Sequence, residues 1–189
     1  MENNARPSSI ELPSTYGTTY FKVMASPVSS QAKRSKKDIF TEEIRKITRP
    51  IQNILTGDIS VEIIWRINEN ERYESDSTAD IDNILKPILD ALSGPEGIII
   101  NDSQVQHLVS TWRDRYDEPE HIEITINYLN DEWRPKSNTM FVQVDGALCM
   151  PISKDLSGEA LKILLDGFEL QIQSRNRLME MGKTYYEAR

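Results

Sequence analysis

The chain is organised around one polar stretch, which runs Asp80-Ile-Asp82-Asn83-Ile-Leu-Lys86-Pro87-Ile-Leu-Asp90-Ala-Leu92. Its apolar residues recur at helical spacing, which predicts a helix over residues 82–93 with one buried side. After a Gly/Pro turn, a short apolar run at 98–100 leads to Asp102. If the end of that run lies beside the start of the helix, the carboxylates of Asp80, Asp82 and Asp102 can share one pocket.

Three carboxylates in one pocket repel one another, and a divalent cation is the usual relief. Ligand sets made only of oxygen favour Mg²⁺ or Mn²⁺ over zinc, which prefers His and Cys. The stretch therefore indicates phosphate chemistry. Lys86 follows Asp82 by four residues, so a helix places it on the same face, within reach of a phosphate oxygen. The alternative for this pair is an ordinary salt bridge beside an N-cap aspartate.

The whole pattern resembles the RusA family of Holliday junction resolvases. The likeness rests on Asp-x-Asp-Asn-x-x-Lys-x-x-x-Asp-Ala-Leu over residues 80–92, followed by Asn101-Asp102 and Gln104-Val105. It spans about residues 17–129, and its specificity lies almost entirely in residues 80–105. The resemblance implies an endonuclease that acts on branched DNA.

Carried over residue by residue, the resemblance assigns the family's metal-binding and catalytic positions to four residues: Asp80, Asp82, Asp102 and Lys86. We call the first three the ligand aspartates. Asn83 and Asp90 match as residues that support the site. The family's usual Asp-Asp is Asn101-Asp102 here, so Asn101 can serve only as a neutral ligand or a hydrogen-bonding partner. Pro87 is a second departure, because a proline inside a helix removes a backbone bond. It predicts either a kinked helix or a helix that begins near Pro87.

Composition sets broad limits. With 189 residues, of which 38% are hydrophobic, we expect one domain or one domain with an appendage. No apolar run is long enough to cross a bilayer and no signal sequence begins at Met1, so we expect a cytoplasmic protein without membrane contact. Cys149 is the single cysteine and cannot form an internal disulfide. His107 and His121 lack zinc-ligand spacing, so they are expected to be surface or strand residues.

The formal net charge of −8 argues against indiscriminate binding to nucleic acid. Residues 30–50 differ, with seven Lys and Arg against three acidic residues. Four of these cations, which we call the basic segment, lie in a polar stretch at 29–37 that is predicted to be a loop: Lys33, Arg34, Lys36 and Lys37. The resemblance places a loop after the first strand near the DNA, so the basic segment is a candidate for DNA binding. A solvated loop is the alternative.

Periodicity predicts an α+β fold with a mixed or antiparallel sheet covered by two helices, as the RusA resemblance implies. Strands are predicted at 18–25, 59–67, 105–113 and 121–129, with the last two forming a hairpin, and helices at 38–48 and 82–93. Asp38 is expected to cap the first helix. Trp65 is expected in the core, and residues 68–79 are expected to be a polar connection.

The remaining segments flank this domain. Residues 1–16 are expected to be a flexible leader, residues 17–129 the nuclease domain, and residues 130–189 an extension of unknown role that begins with a linker at 130–139. Asp145-Gly146 predicts a type I′ hairpin turn, and a helix is predicted at 156–181. We expect the extension to support packing or dimerisation.

The favoured function is a Mg²⁺-dependent endonuclease for four-way junctions or other branched DNA, which in this family leaves 5′-phosphate products. A homodimer suits a substrate with two symmetric strands to cut. Two alternatives stay open: a catalytically weak junction-binding protein, motivated by Asn101 and the acidic composition, and a Mg²⁺-dependent phosphohydrolase for a small substrate. A calcium-binding EF-hand loop is excluded because its glycine and terminal Glu are absent around Asp80 and Asp82.

Overall fold

The computed structural model describes residues 16–75, 79–116, 118–129, 132–146 and 148–188. Its helices and strands are, in chain order, β1 (Tyr16–Val23), α1 (Arg34–Thr48), β2 (Asn53–Leu55), β3 (Ile59–Ile67), α2 (Glu69–Glu74), α3 (Ile81–Leu92), a 3₁₀ turn (Asp102–Gln104), β4 (Val105–Asp114), β5 (His121–Leu129), β6 (Trp133–Pro135), a second 3₁₀ turn (Lys136–Asn138), β7 (Thr139–Asp145), β8 (Leu148–Ser153), α4 (Gly158–Glu180) and α5 (Tyr185–Ala188). The predicted leader lies outside the described residues, apart from Tyr16.

The central feature is a four-stranded mixed sheet in the order β1-β5-β3-β4. β5 is antiparallel to both β1 and β3, whereas β4 is parallel to β3. Alternate residues of β3 are buried, because one face of this central strand meets the core. The predicted α+β class and mixed sheet are confirmed.

Two helices, α1 and α3, pack against each other and cover the inner face of the sheet. α3 contributes Ile84, Ile88 and Leu92, each fully buried and spaced one turn apart. A fully buried side chain of this size stabilises the fold by about 1.5–3 kcal/mol relative to exposure, so this stripe fixes α3 on the sheet. Trp65 is buried in the core, as the sequence predicts.

The predicted hairpin between the strands at 105–113 and 121–129 is wrong. β3 lies between β4 and β5 and pairs with both. The physical reason is that α3 forms the crossover from β3 to β4, and such a crossover makes the two strands parallel neighbours. β4 is consequently an edge strand, and residues 106–109 are exposed.

The first helix begins earlier than predicted. α1 starts at Arg34 with Lys33 at its N-cap, so residues 34–37 are helical and Asp38 is not the cap. Arg and Lys are good helix formers, and an exposed first turn needs no apolar residue. Asp38 instead lies 4.0 Å from the Arg34 guanidinium, one turn earlier on the same face.

Two stretches predicted to lack regular structure contain short elements. The connection at 68–79 includes α2, whose N-cap Asn68 accepts a hydrogen bond from the Asn70 amide. The linker at 130–139 includes β6 and the second 3₁₀ turn. In both cases the elements are too short to show a clear apolar period.

The chain divides into two compact units, Met1–Trp133 and Arg134–Arg189. The second unit consists of the β7–β8 hairpin with α4 and α5, and a 2.8 Å ion pair between Arg175 and Asp145 joins α4 to the hairpin. The type I′ prediction for Asp145-Gly146 is wrong, because Asp145 pairs with Leu148 and only Gly146 has a positive φ among the described turn residues. None of the described helices combines the length and apolarity that a membrane span needs.

Candidate active site

The first two ligand aspartates lie at the start of α3. Asp80 is the N-cap residue, and its backbone carbonyl accepts the Asn83 amide at 3.0 Å. The Asp80 side chain makes no capping hydrogen bond, so its carboxylate is not used to cap the N-terminus of α3. Asp82 is exposed in the first turn. Negative charge at this end is favoured by the helix dipole, which lowers the cost of holding two carboxylates here.

Pro87 lies inside α3 without ending it. Because proline has no amide hydrogen, the Asn83 carbonyl one turn earlier loses its helical donor. The Ser30 backbone amide takes that place and donates to the Asn83 carbonyl at 2.7 Å, and the Ser30 hydroxyl lies 3.2 Å from the Asn83 side-chain oxygen. Pro87 therefore frees a backbone carbonyl on α3, and this carbonyl binds the loop between β1 and α1.

Asp102 is presented by the 3₁₀ turn that precedes β4. Asn101 caps this turn, with its side-chain oxygen accepting the Ser103 amide at 2.9 Å, and Gln104 completes a capping box. The Gln104 amide group also donates to the carbonyls of Leu55 and Gly57, which fixes the turn to the body of the domain. Sequence reasoning included Gln104 in the motif without assigning it this positioning role.

Lys86 joins α3 to this turn. Its ammonium lies 2.7 Å from a carboxylate oxygen of Asp102 and 2.7 Å from one of Asp90. These hydrogen bonds, with Asp102 the larger effect and Asp90 the second, raise the pKa of the Lys86 ammonium above its ordinary value against a smaller opposing effect of burial. Within the described structure, Lys86 makes no ion pair with Asp82.

Two clefts border the start of α3. Asp80 and Asp82 line an open cleft of about 680 Å³. Six further residues complete its lining: Arg72, Tyr73, Ile81, Ser110, Thr111 and Trp112. Asp80 and Asn83 also line a second cleft of about 480 Å³, which contains Lys36 and the loop after β1. Sequence reasoning missed Arg72, Tyr73 and Trp112, because α2 and β4 meet here only through the fold.

The donor chemistry fits Mg²⁺ or Mn²⁺, since carboxylate oxygens are the ligands these cations prefer. In the described residues, however, no three His, Cys, Asp or Glu side chains form a ready metal-binding cluster. Asp80 and Asp82 share one cleft, whereas Asp102 contacts Lys86 further along α3. The structure thus brings two of the ligand aspartates to one cleft and pairs the third with the candidate lysine.

The basic segment lies at the start of α1 rather than in a loop. Arg34 and Lys36 are exposed, and Lys36 lines the same cleft as Asp80. The Lys37 ammonium donates to the Ser30 carbonyl at 3.3 Å, so it also helps to hold the loop after β1. This places one cation of the segment beside the candidate site.

Comparison with curated protein sequences gives no match for the chain. Residues 17–127, more than half of the chain, match the protein family described as endodeoxyribonuclease RusA. The matched region extends from the second residue of β1 to near the end of β5, and it includes both clefts and all four candidate catalytic residues. The chain therefore belongs to the RusA family of endodeoxyribonucleases.

Proposed function

We propose that this protein is a metal-dependent endonuclease that cuts four-way junctions, or related branched DNA, in recombination and repair. Family membership supports the reaction class. The observation that carries the assignment to this site is the position of Lys86, whose ammonium lies against Asp102 on the face of α3 that begins with Asp82. A cation and carboxylates on one exposed surface suit phosphodiester hydrolysis.

The ligand aspartates would hold Mg²⁺, with Mn²⁺ as a substitute. When bound, the metal supplies an activated water and neutralises charge on the scissile phosphate. Asp80 and Asp82 support this role because both line an open cleft, and the Asp80 carboxylate is not engaged in capping α3. Asp102 contributes from the adjacent turn, whose backbone Gln104 holds in place.

Lys86 would donate a hydrogen bond to the phosphate or to the leaving oxygen as charge develops there. The ammonium is protonated at neutral pH, as this role requires, and its hydrogen bonds to Asp102 and Asp90 raise its pKa further. Asp90 holds the ammonium from the far side, one helical turn further on. The basic segment would contact neighbouring phosphates, and Lys36 is the member nearest to Asp80 by its shared cleft.

A homodimer would present two equivalent sites to a two-fold symmetric junction. The exposed edge of β4 supports this part of the proposal, because among the described strands β4 pairs with β3 alone. The strand has no proline and no charged residue before Arg113, and Leu108 and Val109 are exposed, so nothing discourages pairing with a second copy. Sedimentation should show a dimer, and Val109→Lys should shift it toward monomer. A wild-type protein that sediments as a monomer would contradict the dimer.

One rival draws on a specific observation. Asn101 replaces an acidic residue of the family pattern, and its side-chain oxygen is occupied as a helix cap. The site therefore has one carboxylate fewer at this turn, which favours a protein that binds junctions but cuts them slowly. The rival predicts tight junction binding with turnover that added Mg²⁺ or Mn²⁺ does not restore.

The deciding experiment incubates the protein with a mobile four-way junction, a linear duplex of the same sequence and a generic phosphomonoester, each with and without Mg²⁺. We expect paired, symmetric nicks in the junction alone, dependent on metal, and sealed by DNA ligase because the products carry a 5′-phosphate. Binding without nicks would favour the rival. Hydrolysis of the phosphomonoester without junction cleavage would overturn the proposal.

A further inference from the structure

The Arg72 guanidinium, on α2, lies over two aromatic rings. Its guanidinium carbon lies 4.7 Å from the centroid of the Tyr73 ring and 4.7 Å from that of the Trp112 ring. Both distances are within the range of cation–π attraction. The stack forms part of the cleft that contains Asp80 and Asp82.

The fold holds this stack firmly from below. Trp112 lies against Trp65, with ring centroids 5.0 Å apart. Trp65 is 2% exposed, and its indole N–H donates to Glu120 at 2.8 Å. The start of α2 is attached to the end of β4, where the Glu69 amide donates to the Asp114 carboxylate at 3.0 Å. These contacts hold Trp112 and the start of α2 in place, and Arg72 lies over the Trp112 ring.

The two ring contacts leave the N–H groups of the Arg72 guanidinium available for hydrogen bonds. Arg carries five such donors in a planar fork. Within the described residues, no carboxylate or carbonyl accepts a hydrogen bond from the Arg72 guanidinium, although Asp80 and Asp82 line the same cleft. Arg72 is exposed, so this arrangement does not serve to neutralise a buried charge.

We propose that Arg72 binds a backbone phosphate of the DNA strand beside Asp80 and Asp82. Its contacts with the Tyr73 and Trp112 rings position the guanidinium for this role. The inference rests on the proposed function and names a contact for the same substrate. A planar, preorganised guanidinium favours a phosphate that it can bind through two hydrogen bonds. It also supplies positive charge at a cleft whose two carboxylates otherwise repel the strand.

Arg72→Gln tests the contact, with Arg113→Gln as the matched control. Residue 113 follows Trp112 on β4, so it points to the opposite face of the sheet, and Arg113 is likewise exposed. Junction binding is measured by fluorescence anisotropy in Ca²⁺ or EDTA, without cleavage, over a range of salt. We expect Arg72→Gln to weaken binding about tenfold and to reduce the slope of log K against log salt by about 0.9, with Arg113→Gln unchanged.

The role of the stack is tested at Tyr73, which is 66% exposed and can be changed without disturbing the core. Tyr73→Leu should weaken junction binding about two- to fivefold, and Tyr73→Phe should retain wild-type affinity because its ring can still stack. Arg72→Lys should keep the salt slope while losing affinity, since it keeps charge but not the planar fork.

Equal slopes for Arg72→Gln and the wild type would overturn the inference, as would an equal loss in Arg113→Gln. These outcomes are separable from failure of the proposed function. If the wild type cuts junctions but the Arg72 variants bind with unchanged slope, only the phosphate-binding role of Arg72 is refuted. If the wild type neither prefers nor cuts a junction, the proposed function itself fails.

Discussion

Replacing Lys86 with alanine separates a catalytic lysine from a structural one. The ammonium makes two ion pairs, yet the Lys86 side chain is 60% exposed and its partners Asp90 and Asp102 are 56% and 32% exposed. Exposed pairs contribute at most about 1 kcal/mol each and often much less, so we expect a loss of about 1 kcal/mol in the free energy of unfolding. For a chain of this size, that corresponds to a fall of about 2–4 °C in Tm.

The effect on cleavage should be far larger. If Lys86 touches the reacting phosphate, Lys86→Ala should reduce the single-turnover rate about a hundredfold or more, the scale of deleting one positioned electrostatic group. Lys86→Arg should bind junctions normally and cut them poorly, because a planar guanidinium does not reproduce a compact ammonium. Cleavage is measured at saturating Mg²⁺ with Tm recorded for the same samples.

Lys46→Ala is a suitable control for these measurements. Lys46 forms an exposed ion pair with Glu43 on α1, so its removal also costs little stability but leaves the site untouched.

The pH dependence of stability gives a second check on Lys86. Because the folded-state pKa of Lys86 is raised, its stabilising effect is complete below about pH 10, the ordinary lysine pKa, and is lost as pH rises through the higher folded value. Near wild-type cleavage by Lys86→Ala would refute the catalytic role.

Four other predictions follow from the structure. Replacing any one of the ligand aspartates with Asn should abolish cleavage while junction binding, measured by gel shift, is kept or strengthened, because repulsion of phosphates falls. Neutralising all four cations of the basic segment should reduce the slope of log K for junction binding against log salt concentration. The reduction should be about 0.9 for each phosphate that the segment no longer binds. Although burial acts in the opposite direction, hydrogen bonding with Arg66 and His121 holds the pKa of Glu123 below its usual range. Glu123→Gln should therefore cost about 1–3 kcal/mol at pH 7 in urea unfolding, and the difference should vanish as pH falls through the folded pKa of Glu123. Gly97→Ala should destabilise the fold by about 3 kcal/mol in urea unfolding, because its Cβ would lie 1.9 Å from the Leu92 carbonyl oxygen.

Features that depend on one element were predictable from the sequence. The alternation of β3 indicated its buried face, and the spacing of Ile84, Ile88 and Leu92 indicated the buried side of α3. In each case the residue pattern reflects burial along a single helix or strand. The effect of Pro87 was harder to predict, because a helix continues through a proline more readily when another group donates a hydrogen bond to the freed carbonyl. Here the donor is Ser30, more than fifty residues away along the chain.

Features that depend on two elements were not predictable. Periodicity identifies the faces of β4 and β5 but carries no information about which strand lies between them, so it predicts a hairpin as the simplest pairing. The same limit hid the stack at Arg72. Its rings come from α2 and β4, and they meet only because β4 runs parallel to β3 and carries Trp112 to the end of the sheet where α2 begins.

The partners of Lys86 show how tertiary structure overrides local spacing. On an isolated helix, an acidic residue four positions before a lysine is the better partner, which favours Asp82 over Asp90. The ammonium instead contacts Asp90 and Asp102, because the turn before β4 places Asp102 beside this part of α3. That turn is held by Gln104 through the carbonyls of Leu55 and Gly57, residues that precede β3. The contact between the candidate catalytic lysine and Asp102 thus depends on the crossover that brings β4 beside β3, and no spacing within residues 80–92 could have specified it.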